Sequence, residues 1–219
     1  MYVYLYHIDP LNKIAENSRS RFTSTEFSNH MVLLARKDYI RRAGLVLPQE
    51  EQDVVRVLRD PKGKPYFEGC NGIFFSISHS ENWWGCLMAD ERVGFDLEAI
   101  RYRKNFEGIA ARFFTEEEHQ YVVRNGLSGF FEIWVRKEAY VKYLGTGLSE
   151  GLRTFSVATK ETLLQEVRIH RQIDSKESYI LGLSEISSEL KAAYCCKSGN
   201  AISQTILLGS DNQPEAIQS

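Results

Sequence analysis

The stretch Val93-Gly94-Phe95-Asp96-Leu97-Glu98 reads as a β-strand. Alternate residues of a strand share a face, so Asp96 and Glu98 point one way while Phe95 and Leu97 point the other. Their α-carbons stand about 7 Å apart, within reach of a single ion. Two neighbouring carboxylates on a half-buried strand repel each other unless a cation or a shared proton relieves them. A solvated acidic face is the commoner use of such a pair. Gly94 argues for more, because a small residue inside a strand often marks the close approach of a ligand or another backbone.

About forty residues further on, Trp134-Val135-Arg136-Lys137-Glu138-Ala139-Tyr140-Val141-Lys142 reads as a helix. Trp134, Glu138 and Lys142 are spaced four apart, drift only about 40° per step, and form one stripe. Glu before Lys at this spacing is a common surface pair worth a few tenths of a kcal/mol. Phe131, Ile133, Trp134, Tyr140, Val141 and Tyr143 surround the helix, however, which predicts burial over much of its surface. A charged pair beside Trp134 then lines a cleft. Together the strand and helix offer three acidic oxygen ligands and a cation, a set suited to holding Mg²⁺ against a pyrophosphate.

Working outward, residues 2–8 alternate as a first strand, and Glu26 to Gly44 has loosely helical apolar spacing with Gly44 as its stop. A short helix is expected from Pro48 through Val57, and a loop over Asp60-Pro61-Lys62-Gly63-Lys64-Pro65. Strands follow at Ile73–Ile77, Trp83–Ala89 and Val93–Leu97, with Ser78-His79-Ser80 at a turn where hydroxyls and an imidazole converge. Helices are predicted over Phe106–Arg112, from Thr115 as N-cap of an acidic first turn, and over Phe130–Leu144, with Gly126 to Gly129 as a break and Gly145-Thr146-Gly147 as the end. Strands are predicted at Thr154–Ala158, Glu166–Arg171, Ser178–Leu183 and Lys191–Cys196. This order predicts an α+β protein with a pseudo-twofold arrangement of two similar α+β halves within one chain. The expected division is 1–92 for the N-terminal half, 93–205 for the half carrying the acidic site, and 206–219 for a polar tail.

The chain has 219 residues, 43% hydrophobic and 26% charged, an ordinary balance for a globular protein. The net charge of −2 gives no general pull toward nucleic acid, so anion binding must be local. Four cysteines, only Cys195 and Cys196 adjacent, form neither a metal-type spacing nor a disulfide framework. Reduced thiols in a cytoplasmic protein are the expectation, with no membrane span and no signal peptide at the strand-like N-terminus.

With these residues assembled, the chain resembles the 4′-phosphopantetheinyl transferases, specifically the two-domain type that modifies carrier domains of peptide and polyketide synthetases. The resemblance is carried by Gly63-Lys64-Pro65, Phe75-Ser76-Ile77-Ser78-His79-Ser80, Val93 to Glu98, Arg112-Phe113-Phe114 with Glu118, and Trp134 to Leu148. It covers about residues 60 to 150, and the acidic strand followed by Trp-x-x-Lys-Glu-Ala-x-x-Lys and Gly-Thr-Gly-Leu is its most specific part. The resemblance implies Asp96, Glu98 and Glu138 as ligands of Mg²⁺, with Mn²⁺ as an alternative, and Lys142 as the cation on the pyrophosphate. It implies His79 at the 3′-phosphate of coenzyme A, Ser78, Lys64 and Pro65 beside the nucleotide, and Trp134 and Lys137 at the pantetheine channel and site wall. Either Glu138 or Glu118 would serve as the base.

The implied reaction is that of a holo-[acyl-carrier-protein] synthase type enzyme. A serine of an acyl or peptidyl carrier protein attacks the β-phosphate of coenzyme A and expels 3′,5′-ADP. The expected state is a cytoplasmic monomer, with no nucleic-acid or membrane partner. Family members often carry an arginine before the Leu-Leu of the first long helix, but here His30-Met31-Val32 precedes Leu33-Leu34. Arg19, Arg21, Arg36 and Lys37 are the candidate replacements.

Overall fold

The computed structural model describes residues 1–7, 25–48, 55–146, 152–170, 176–183, 186–209 and 214–216. The fold is mixed α and β. It divides into two units, one of residues 1–91 with 201–219, the other of residues 92–200.

The first unit is built on the alternation of Tyr2–His7 (β1), whose Val3, Tyr4 and Leu5 are fully buried. Among the described residues, β1 lies inside a five-stranded sheet with Val57–Arg59 (β2) and Pro65–Phe67 (β3) forming a separate hairpin. Phe74–Ser80 (β4) and Trp83–Ala89 (β5) continue the sheet on one side of β1 by antiparallel pairing. On the other side Gln204–Leu208 (β10) runs parallel to β1, followed by Pro214–Ala216 (β11). The helix Thr25–Ala43 (α1) buries Met31, Val32, Ala35 and Tyr39 in the same core as Tyr4, Trp84 and Cys86. Trp84 Nε1 donates to Ser28 Oγ (3.0 Å) and Tyr4 OH to Asp38 Oδ2 (3.2 Å), which fixes the helix on the sheet.

Three expectations change in this unit. Residues 206–219 are not simply a polar tail, because Ile206 and Leu208 alternate into the core and carry β10 onto β1. Val57 opens a strand rather than closing a helix, and residues 49–54 of that expected helix lie outside the described residues. Ser78-His79-Ser80 continue β4 in register with β5, and the turn comes after them at Glu81, whose φ is 53°.

In the second unit, among the described residues, Val93–Ala99 (β6), Glu166–His170 (β7), Glu177–Leu183 (β8) and Leu190–Cys196 (β9) form an antiparallel sheet in the order β6-β9-β8-β7. Among the described residues, the expected strand at Thr154–Ala158 reduces to one bridge between Ala158 and Leu163. Two helices, Phe106–Phe113 (α2) and Glu116–Leu144 (α3), follow β6. Thr115 caps α3 reciprocally with Glu118 in a capping box. At Gly126 the backbone turns to φ 62°, ψ −145°, bending α3 where the sequence placed its break, and Gly145 ends it at φ 68°.

Register decides which side chains meet α3. Gly94, Asp96 and Glu98 pair with Cys195, Ala193 and Lys191, and across β9 Cys195 and Ala193 pair with Ile180 and Gly182 of β8. Paired residues point to the same side, so these form one face. Ala193, Cys195 and Ile180 bury there against Phe131, Val135 and Ala139 of α3. A Cβ built on Gly94 would fall 2.8 Å from Tyr143 Cα and closer still to the Ala139 carbonyl oxygen and the Tyr143 nitrogen. The glycine signals a backbone approach, and that approach places the second half of α3 beside the acidic strand.

Candidate functional site

Asp96 is buried at 5% exposure, Glu98 is half-buried, and both stand on the α3 side of β6. From the helix, Lys142 Nζ donates to Asp96 Oδ1 at 2.7 Å, closing the link from strand to helix. Glu138 lies one turn before Lys142 on the same stripe, with Oε1 buried and given no hydrogen-bond partner. Burial pushes the Glu138 carboxyl up to about 7; Asp96 adds to the shift, Lys142 opposes it, and Glu98 adds a little more. Asp96 and Glu98 therefore both act on Glu138 here. Among the described residues no three His, Cys, Asp or Glu side chains are gathered into a ready-made metal cage.

A residue that the sequence reading missed holds this end of the helix. Arg92 Nε donates to the Tyr143 carbonyl (2.7 Å) and Nη2 to the Leu144 carbonyl (2.6 Å), and the guanidinium lies over the Tyr143 ring. These carbonyls belong to the last turn, where the helix dipole favours a cation. The signal was available: an arginine immediately precedes the strand against which a helix C-terminus packs.

Glu118 and Lys137 are placed elsewhere than expected. Both side chains are 0% exposed, and Lys137 Nζ meets Glu118 Oε2 at 2.9 Å. Lys137 also donates to the Leu152 and Phe155 carbonyls, which uses all three of its protons. Glu118 accepts from the backbone nitrogens of Thr115 and Val157, each at 2.8 Å. Burial pulls the Lys137 pKa down while Glu118 holds it up. A carboxylate so enclosed cannot take a proton from an incoming hydroxyl, and an ammonium so enclosed cannot line a ligand channel. The pair instead ties the segment around Leu152–Val157 to α3. Lys137→Met should leave a buried unpaired carboxylate and destabilise the protein by about 3 kcal/mol, while adding Glu118→Gln should recover part of that loss. Urea unfolding of the two variants checks this, and equal losses would remove the coupling.

Trp134 packs into an aromatic group with Phe130 (centroids 5.7 Å apart) and Phe114, and the Arg103 guanidinium lies 5.1 Å over its ring. In the first unit, Asp60 organises the loop before Lys64: its Oδ1 accepts from the nitrogens of Lys62 and Lys64, and Pro65 then opens β3. On β4, Ser78 is buried at 5% exposure while His79, in register with Trp84, is exposed. Of the arginine replacements, Arg36 is buried with its guanidinium over the Phe67 ring and Lys37 is exposed. Arg19 and Arg21 lie outside the described residues.

An antiparallel sheet crossed by a helix that brings Lys142 onto Asp96 is thus the frame of the second unit. Residues 92–195, just under half of the chain, match the family model of the 4′-phosphopantetheinyl transferase superfamily. It is similar to the 4′-phosphopantetheinyl transferase gsp of Aneurinibacillus migulanus, with 32% identity over 137 residues, 61% of this chain and 54% of that one. A 4′-phosphopantetheinyl transferase of Bacillus subtilis is 29% identical over 137 residues, 61% of this chain and 59% of its own length. The 4′-phosphopantetheinyl transferase AcpT of Salmonella typhi is 38% identical over 89 residues, 38% of this chain and 46% of that protein. The matched region thus spans about half the length of these relatives.

Proposed function

We propose that the protein transfers the 4′-phosphopantetheine group from coenzyme A to a serine of an apo acyl or peptidyl carrier protein, in a Mg²⁺-dependent reaction that releases 3′,5′-ADP. The observation that carries this reading is the meeting of Asp96 and Lys142 across the β6–α3 contact, with Glu138 a turn away. Similar 4′-phosphopantetheinyl transferases support the reaction class. The reading of two related halves has its support in each unit, where a sheet packs with a long helix.

The residues fit Mg²⁺. Such an ion generally combines carboxylates with waters and substrate phosphates, and does not require an all-protein cage. Glu138 Oε1, buried without a partner, is the kind of oxygen such an ion satisfies, and the push of Asp96 and Glu98 on the Glu138 carboxyl is what a divalent charge relieves. Asp96, Glu98 and Glu138 would hold it, and it would supply neutralisation of charge on the pyrophosphate.

The chain's own residues do the rest. Lys142, partly exposed and already on Asp96, stabilises negative charge growing on the departing 3′,5′-ADP as the bond from the β-phosphorus to the bridging oxygen breaks. The serine oxygen forms the new bond to that phosphorus and releases its proton. Glu138 is suited to accept the proton, since its Oε1 has no hydrogen-bond partner and it stands one turn from Lys142 on the stripe that meets Asp96. His79, Ser78, Lys64 and Pro65 are proposed to contact the nucleotide.

The test is mass spectrometry of an apo carrier incubated with the full chain, coenzyme A and Mg²⁺. The expected result is a gain of one phosphopantetheine per carrier, lost when the target serine is alanine or the metal is chelated. Release of 3′,5′-ADP without any carrier would replace the transferase reading with a hydrolase.

A further inference from the structure

Glu98, one of the carboxylates proposed for the metal, has a lysine opposite it. Lys191 of β9 is its register partner in the antiparallel pair, so both side chains stand on the side of the sheet that faces α3. Directly opposed residues have Cβ atoms about 5 Å apart, and a lysine on its flexible four-carbon stem reaches a carboxylate across that gap. Lys191 on Glu98 would oppose a divalent cation in two ways. It would occupy a carboxylate oxygen, and it would place a like charge beside the ion.

The ammonium goes elsewhere. Lys191 Nζ donates to Glu132 Oε1 on α3 at 2.7 Å. Glu132 is fixed in turn through its other oxygen, because the Tyr121 hydroxyl donates to Oε2 at 2.9 Å. Tyr121 is buried, and burial first, then its bond to Glu132, push the phenol up to about 12, so it stays the donor. The side chains of Lys191 and Glu132 are 28% and 19% exposed, which screens their attraction less than full exposure would.

The bend in α3 makes this arrangement possible. Tyr121 and Glu132 are eleven residues apart, on opposite sides of Gly126. A straight helix would separate them by about 16 Å along its axis. With the left-handed backbone at Gly126, the two side chains meet, and Glu132 is held where Lys191 can reach it.

We propose that Glu132 is a positioning residue of the metal site: it holds Lys191 and so keeps that cation off Glu98, a carboxylate the divalent ion needs. The inference rests on the reading of Glu98 as a metal ligand. The test is Mn²⁺ binding to the full chain at pH 8 without substrate, read from the electron paramagnetic resonance signal of the free ion. Glu132→Gln keeps the shape and releases the ammonium, and should raise the Kd at least about threefold. Lys191→Met added to it should return the Kd to within about twofold of the wild type. Lys191→Met alone should change it by less than about twofold, because the ammonium is already on Glu132. In a Glu98→Gln background, Glu132→Gln should weaken binding no further.

A long-range charge effect predicts equal and opposite shifts in the two single variants, and that result would overturn the proposal. An unchanged Kd in Glu132→Gln would overturn it too. So would a loss that Lys191→Met does not restore, which would make the network a structural tie alone. Mn²⁺ binding indifferent to Glu98→Gln removes Glu98 from the metal and this inference with it. Carrier loading is measured separately and reports on the transferase reading by itself.

Discussion

Glu138→Gln is expected to lower carrier loading by at least about a thousandfold, or ~4 kcal/mol in the barrier, while leaving the protein folded and, without Mg²⁺, more stable above pH 7. Both effects have one origin. The Glu138 carboxyl is raised from an ordinary 4.5 to about 7, first by burial, then by Asp96. Between those two values the folded state binds more protons than the unfolded state, so protonation favours folding. The contribution is fully present below about 4.5 and is lost as pH rises through about 7, where the folded protein must carry the buried carboxylate. Glutamine has the same shape and no charge to bury. At pH 8 it should therefore relieve the metal-free protein by on the order of 1–2 kcal/mol, after allowance for partial exposure. Added Mg²⁺ should stabilise the wild type at pH 8 much more than at pH 5, and Glu138→Gln little at either. Denaturant midpoints against pH, with and without Mg²⁺, give the stability half, and carrier mass spectra give the activity half. A variant that loads carrier normally would remove Glu138 from the site, and one destabilised at every pH would remove the titration argument.

Much of the second unit was legible because its signals are local. The Thr115 cap, the break at Gly126 and the stop at Gly145 each follow from one residue's backbone or capping preference, and α3 obeys all three. The alternation of Val93 to Glu98 gave the shared face of Asp96 and Glu98, and Gly94 gave the close approach, though not whether a ligand or a backbone would fill it. What a linear reading could not supply was pairing at long range. Nothing local marks Gln204–Leu208 as the parallel neighbour of Tyr2–His7, or says that among the described residues Ala158 makes a single bridge to Leu163. Glu118 illustrates the same limit at the site. Its spacing from Lys137 is compatible with catalysis or with burial, and only the packing around Val157 and Phe155 decides for burial. The absence of a side chain at Gly182 gives Arg136 a place inside, a long-range match that no local pattern marks.

Gly94→Ala should be the most damaging single-methyl substitution in the second unit. The added Cβ meets backbone of both Ala139 and Tyr143, and neither can swing aside as a side-chain tip would. Relief requires α3 to move off β6, which would separate Lys142 from Asp96 and loosen Arg92 from the carbonyls of Tyr143 and Leu144. Overpacking a close-packed core costs about 1–3 kcal/mol when side chains can adjust, and more when they cannot. Here the expected loss is about 4 kcal/mol, a large part of a typical total of 5–15 kcal/mol. Gly182→Ala is the matched comparison, because its Cβ meets only the end of the flexible Arg136 side chain. That variant should lose about 1 kcal/mol and keep its loading activity. Urea unfolding of the two alanine variants separates backbone contact from side-chain contact directly. If Gly94→Ala proves as mild as Gly182→Ala, the β6–α3 approach is looser than the geometry states, and the placement of Glu138 and Lys142 beside Asp96 falls with it.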